Sequence, residues 1–107
     1  MSSIDLVVLG IVLEKPQSAY DIQKDVEYHN LSKWTKISVP SIYRKVLQLK
    51  EKGYLESDIV KGDKFADKAI YSITEKGKEY LESITQDYDN LVQSIDLIVH
   101  GTKHYER

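Results

Sequence analysis

Ser38-Val39-Pro40-Ser41-Ile42-Tyr43-Arg44-Lys45-Val46-Leu47-Gln48-Leu49-Lys50-Glu51-Lys52-Gly53 carries two different faces at helical spacing. Ile42, Val46 and Leu49 fall at i, i+4, i+7 and form an apolar stripe that needs a core to lie against. Ser41, Arg44, Lys45 and Gln48 repeat the same spacing as a polar, cationic stripe, and Leu47 fits neither face cleanly. Ser38 is a good N-cap, and Pro40 is tolerated in the first turn, where its missing N–H has no partner to lose. Gly53 is the expected left-handed residue after the helix, with Lys50 and Lys52 suited to the negative end of its dipole. A helix with one buried face and one basic face is the natural reader of a polyanion.

Working upstream, Ile4 to Leu13 is almost continuously apolar and stops at Glu14, Lys15 and Pro16, which predicts a first, buried helix. The run is about half as long as a membrane-crossing helix requires, so no membrane partner is expected. Ser18 followed by Asp21 is a capping-box pattern for a second helix to about Tyr28, and His29 to Ile37 reads as a connection.

Downstream, Tyr54 to Val60 and Ala69 to Ile73 read as two strands joined by a polar turn over 61–68, a hairpin with a charged tip. Thr74 caps a last helix, with Glu75 and Glu79 near its positive end and Gly77 an apparent loss of helix propensity. That helix carries Leu81, Ile84, Tyr88, Leu91, Ile95 and Ile98 in strict 3-4-3-4-3 spacing, a narrow seam suited to pairing with a second copy.

The 107 residues fit one compact fold, expected to be mainly α with an α+β character: helix, helix, helix, hairpin, helix. That order is a winged helix-turn-helix with a two-stranded wing and a long C-terminal dimerisation helix. Residues 1–74 form the expected DNA-binding unit, and 75–107 the dimerisation helix and tail. The net charge of −2 hides an uneven distribution. From Lys33 to Lys68 nine Lys/Arg face five Asp/Glu, a surplus of four, while six against twelve leaves the remainder at −6.

Leu9 to Pro16 followed by Ala19-Tyr20-Asp21-Ile22, Ser38 to Arg44 with Val46, Leu49, Gly53 and Leu55, and Tyr71 to Gly77 together resemble the PadR family of transcriptional regulators across roughly residues 4–82. The resemblance implies a cytoplasmic homodimer that represses transcription from a double-stranded DNA operator. Family members sense phenolic acids, drugs or no known ligand, so any effector it implies is small and apolar or aromatic. The candidate DNA contacts are Ser38, Ser41, Tyr43, Arg44, Lys45 and Gln48 on the third helix, with Lys61, Lys64 and Lys68 in the wing suited to phosphate. Tyr43 either offers its hydroxyl to the DNA backbone or packs beneath the wing. Trp34 reads as a packing anchor before the third helix.

No cysteine and no Gly-rich phosphate loop is present, so neither an enzyme nor a cofactor is expected. His100 and His104 stand at i, i+4, but no carboxylate of matching placement completes a metal site, and the pair reads as part of a frayed tail. The rival reading is a winged helix that contacts protein or RNA without an operator; the cationic face of the third helix favours DNA.

Overall fold

The computed structural model describes residues 3–29, 38–62 and 67–105. Six elements follow in chain order: α1 Ser3–Glu14, α2 Ala19–Tyr28, α3 Val39–Glu51, β1 Leu55–Val60, β2 Lys68–Ile73 and α4 Glu75–Tyr105. The order is the expected winged helix-turn-helix with its extended last helix. Trp34, Lys64 and most of the 29–37 connection lie outside the described residues.

Local chemistry sets the helix boundaries. Ser18 Oγ accepts from the Asp21 N–H at 3.1 Å, while its own hydroxyl donates to Asp21 Oδ2 at 2.9 Å, so the carboxylate serves the cap's side chain. At α3 the capping box is formed by Ser38 and Ser41, each hydroxyl accepting from the other's backbone N–H. The same helix ends in a Schellman motif: Tyr54 N–H donates to Leu49 O at 2.9 Å and Gly53 N–H to Lys50 O at 3.0 Å, with Gly53 at φ 82°.

The core gathers one face from each element: Val8, Leu9 and Val12 of α1, Ile22 and Val26 of α2, Ile42, Val46 and Leu49 of α3, and Leu55 and Tyr71 of the hairpin. The apolar stripe of α3 is therefore spent on the fold, which fixes its opposite face outward. The hairpin pairs Leu55 with Ile73 through Val60 with Lys68 in antiparallel register. Gln17 adds a third, one-residue strand by exchanging two backbone hydrogen bonds with Tyr71, at 3.1 and 2.8 Å. Its side chain is buried and donates to Ile11 O, joining the α1–α2 corner to the base of the wing.

The start of α4 grips the end of α3. Thr74 Oγ1 donates to Gly53 O at 2.6 Å and accepts from Gly77 N–H at 3.0 Å. Lys76 Nζ donates to Lys52 O at 2.9 Å and sits 5.3 Å from the Tyr54 ring centre, placing a cation at the negative end of α3. Gly77, read from sequence as a propensity loss, is a close-packing position: a Cβ there would lie 2.1 Å from Tyr54 O.

One part of the seam reading is corrected. Leu81 and Ile84 are 9% and 5% exposed because they pack into the chain's own core, where α4 lies along α1, so they are not left over for a partner. Tyr88, Leu91, Ile95 and Ile98 continue the seam beyond the core and are exposed.

Candidate nucleic-acid interface

Helix α3 stands with its core stripe fixed and the opposite stripe at the surface. Arg44 and Gln48, one turn apart, are exposed and share a shallow depression with Ser41, Lys45 and Leu47, bordered by Ile4 of α1. Arg44 offers a planar fork of donors matched to phosphate or to guanine; Gln48 offers an amide.

The other predicted contacts fall into different environments. Ser38 is exposed, but its hydroxyl accepts from Ser41 N–H. Ser41 Oγ donates to Ser38 O at 2.7 Å and accepts from Ser38 N–H, so its single proton and one lone pair are committed to the cap and only the second lone pair is left for a ligand. Tyr43 is 40% exposed and lines an open groove. That groove runs between α2, α3 and β2 and is lined by Tyr20, Tyr43, Leu47, Ala69 and Tyr71, with Lys68 at its edge. In the wing, Lys61 and Lys68 are exposed near the strand ends.

Lys45 is braced from within the fold. Its Nζ lies 2.9 Å from Asp5 Oδ1, its side chain is 18% exposed, and it also donates to Gln48 Oε1. An ammonium paired with a buried carboxylate has its charge largely offset, so Lys45 lines the depression as a braced residue and not as a free cation.

The Asp5 carboxylate, 4% exposed, also accepts from the Tyr80 hydroxyl at 2.6 Å. This short hydrogen bond, with burial and the carboxylate's charge, pushes the Tyr80 phenol up to about 12. Tyr80 stacks on Tyr54, ring centres 4.3 Å apart and planes 9° from parallel. Asp5 thus joins α1, α3 and α4 at one point. The signal for it was in the sequence: a lone acid inside a near-continuous apolar helix demands a buried partner. What could not be read was the partner, since Lys45 and Tyr80 are distant along the chain.

His100 Nδ1 lies 2.8 Å from Asp96 Oδ1 on the exposed surface of α4. Among the described residues no group of three or more His, Asp or Glu side chains is gathered in a metal-holding arrangement, and no helix is long and apolar enough to cross a membrane.

Comparison with known proteins agrees with this geometry. Residues 8–83 match the family model described as transcriptional regulator PadR-like. An uncharacterized protein of Lysinibacillus sphaericus is 26% identical over 101 residues, covering 92% of this chain and 89% of the relative. Among solved structures, a PadR family transcription regulator from Clostridium difficile superposes with a TM-score of 0.78 at 18% identity, over 92% of this chain and 99% of that one. Bacillus subtilis PadR in complex with operator DNA gives a TM-score of 0.70 at 20% identity, over 78% of this chain and 47% of that one.

Proposed function

The chain belongs to the PadR-like family of transcriptional regulators, and from that membership we propose that it binds operator DNA as a homodimer and represses transcription in the cytoplasm. The observation that carries the reading is α3 itself. Its apolar stripe is locked in the core and its ends are capped, and Arg44 and Gln48 stand outward one turn apart. A rigid helix with that outward face fits a major groove. The operator complex of the similarly folded Bacillus subtilis protein supports the same use of the fold.

Residues 1–74 hold the DNA in this reading, with Lys61, Lys64 and Lys68 of the wing on phosphates. Residues 75–107 hold the partner, through Tyr88, Leu91, Ile95 and Ile98 on the exposed length of α4. Left bare, that surface would invite aggregation; a second copy covers it with its own equivalent seam. The groove beneath Tyr20 and Tyr43 is open and largely apolar, and it is the place for a small apolar or aromatic effector to reach both α3 and the wing.

Gel-shift titration against duplex DNA from the gene's own upstream region tests the reading. Retardation of that duplex in an excess of random DNA is expected. Equal, weak binding to both would remove operator recognition and favour a protein- or RNA-contacting module.

A further inference from the structure

We propose that Asp5, although buried and remote from any DNA surface, is a specificity-determining positioning residue that acts through Lys45 to fix which end of the Gln48 amide faces the DNA. The inference rests on the operator-binding reading above and adds to it a statement about one base position.

The geometry forms a relay of three side chains. Asp5 is held on two sides, its Oδ2 by the Tyr80 hydroxyl at 2.6 Å and its Oδ1 by Lys45 Nζ at 2.9 Å. Lys45 reaches outward from this anchor and donates to Gln48 Oε1. A lysine ammonium has donors and no acceptor, so only the amide oxygen of Gln48 can face it. The Gln48 NH2 group is therefore the end turned away from Lys45. Asp5 supplies the charge that keeps Lys45 at this post and out of solvent, and Lys45 transfers that fixity to an exposed residue of the recognition helix.

The consequence is a change in what a glutamine reads. A free glutamine amide in the major groove pairs with adenine through both ends, donating to N7 and accepting from N6. With its oxygen turned toward Lys45 and one lone pair taken there, Gln48 shows DNA chiefly its NH2 donor. Guanine, with N7 and O6 as adjacent acceptors, suits that donor best, and thymine O4 accepts one bond. Cytosine offers only its N4 donor and is rejected. The base pair under Gln48 is thus read as an acceptor edge, and cytosine there lowers affinity by about tenfold, the equivalent of about 1.4 kcal/mol at the low end of one base contact.

Selection from a randomised duplex pool tests this with the full chain, comparing wild type, Asp5→Asn, Lys45→Met and Gln48→Glu. Wild type is expected to exclude cytosine at one position of each half-site. Asp5→Asn and Lys45→Met are expected to lose that exclusion to within about threefold, with preferences elsewhere in the site unchanged. A merely structural role for Asp5 would lower affinity for all sequences without altering the base at one position. Gln48 is exposed, so Gln48→Glu folds even if Asp5→Asn does not; its carboxylate keeps Lys45 as partner, turns an acceptor outward and inverts the preference to cytosine. Folded Asp5→Asn and Lys45→Met proteins with the wild-type base preference, or Gln48→Glu without inversion, overturn the relay while leaving operator binding intact. Failure of wild type to enrich any motif overturns the operator reading on which it stands.

Discussion

Gly77 lies against the carbonyl of Tyr54 so closely that a β-carbon would come within 2.1 Å of the oxygen and 2.8 Å of Ile73 Cγ1. The first of these neighbours is backbone and is itself held by Thr74 N–H at 3.1 Å. The absence of a side chain is thus what lets α4 dock on the end of α3, and helix propensity is the smaller consideration.

Gly77→Ala is expected to destabilise the fold by about 3 kcal/mol, the upper part of the range for overpacking, because the clash moves backbone and not a flexible side chain. Gly10 is the control: a β-carbon there meets nothing within 4 Å, so Gly10→Ala should stabilise α1 by about 0.5 to 1 kcal/mol. Urea denaturation of the two variants checks both signs, and equal behaviour would refute the close-packing account.

The two glycines show where a sequence reading stops. Helix ends were legible because caps are local: Ser38 as an N-cap, Ser18 with Asp21 and Gly53 after Lys52 declare themselves within a few residues. Gly77 against Tyr54, Gln17 against Tyr71, and Asp5 between Lys45 and Tyr80 are long-range pairings, and no periodicity encodes them. The seam on α4 was visible as spacing, but spacing does not say which chain covers it. That is why Leu81 and Ile84 belong to the chain's own core.

Tyr80 gives the fold a pH signature at the alkaline end. Its phenol is held at about 12 in the folded chain, against about 10 when unfolded, so the folded state favours the protonated form. The stabilisation from this hydrogen bond is fully present below about pH 10 and is lost as pH rises towards about 12. Tyr80→Phe lacks the group, so wild type should exceed it in thermal stability at neutral pH by a margin that shrinks across this window. A margin independent of pH would show that the Asp5 contact does not govern the phenol.

Division of the seam predicts two separable phenotypes. Leu91→Lys places a charge on the exposed part of α4 and should yield monomers in sedimentation, with weaker operator binding because two half-sites are no longer linked. Leu81→Ala removes core volume and should destabilise by about 2 to 5 kcal/mol while leaving association through the exposed seam. A full dimer for Leu91→Lys would take this surface out of the interface.

The wing should position without reading. Lys61 and Lys68 are flexible point charges, better suited to phosphate than to paired base recognition. Alanine at either position should lower affinity similarly for operator and random duplex and reduce the salt slope by about one per lost phosphate contact. Loss confined to the operator would mean that the wing contacts base edges.

Arg44 is where recognition and attraction separate. It stands exposed one turn before Gln48, and in a chain of net charge −2 the pull on DNA must come from a local patch. Unlike Lys45, it is not tied to the buried Asp5 carboxylate that anchors α3. Arg44→Ala should therefore weaken DNA binding more than removal of Lys78, which pairs with Glu75 at 3.3 Å on the outer side of α4. If the guanidinium meets guanine, the variant loses about 1 to 3 kcal/mol on the operator and relaxes one position of it, with random DNA less affected. If it meets phosphate, operator and random duplex weaken together and the slope of log affinity against log salt falls by about one. Titrations of wild type and Arg44→Ala on both duplexes at several salt concentrations separate the two modes. Unchanged affinity on both would show that the outward face of α3 does not meet DNA.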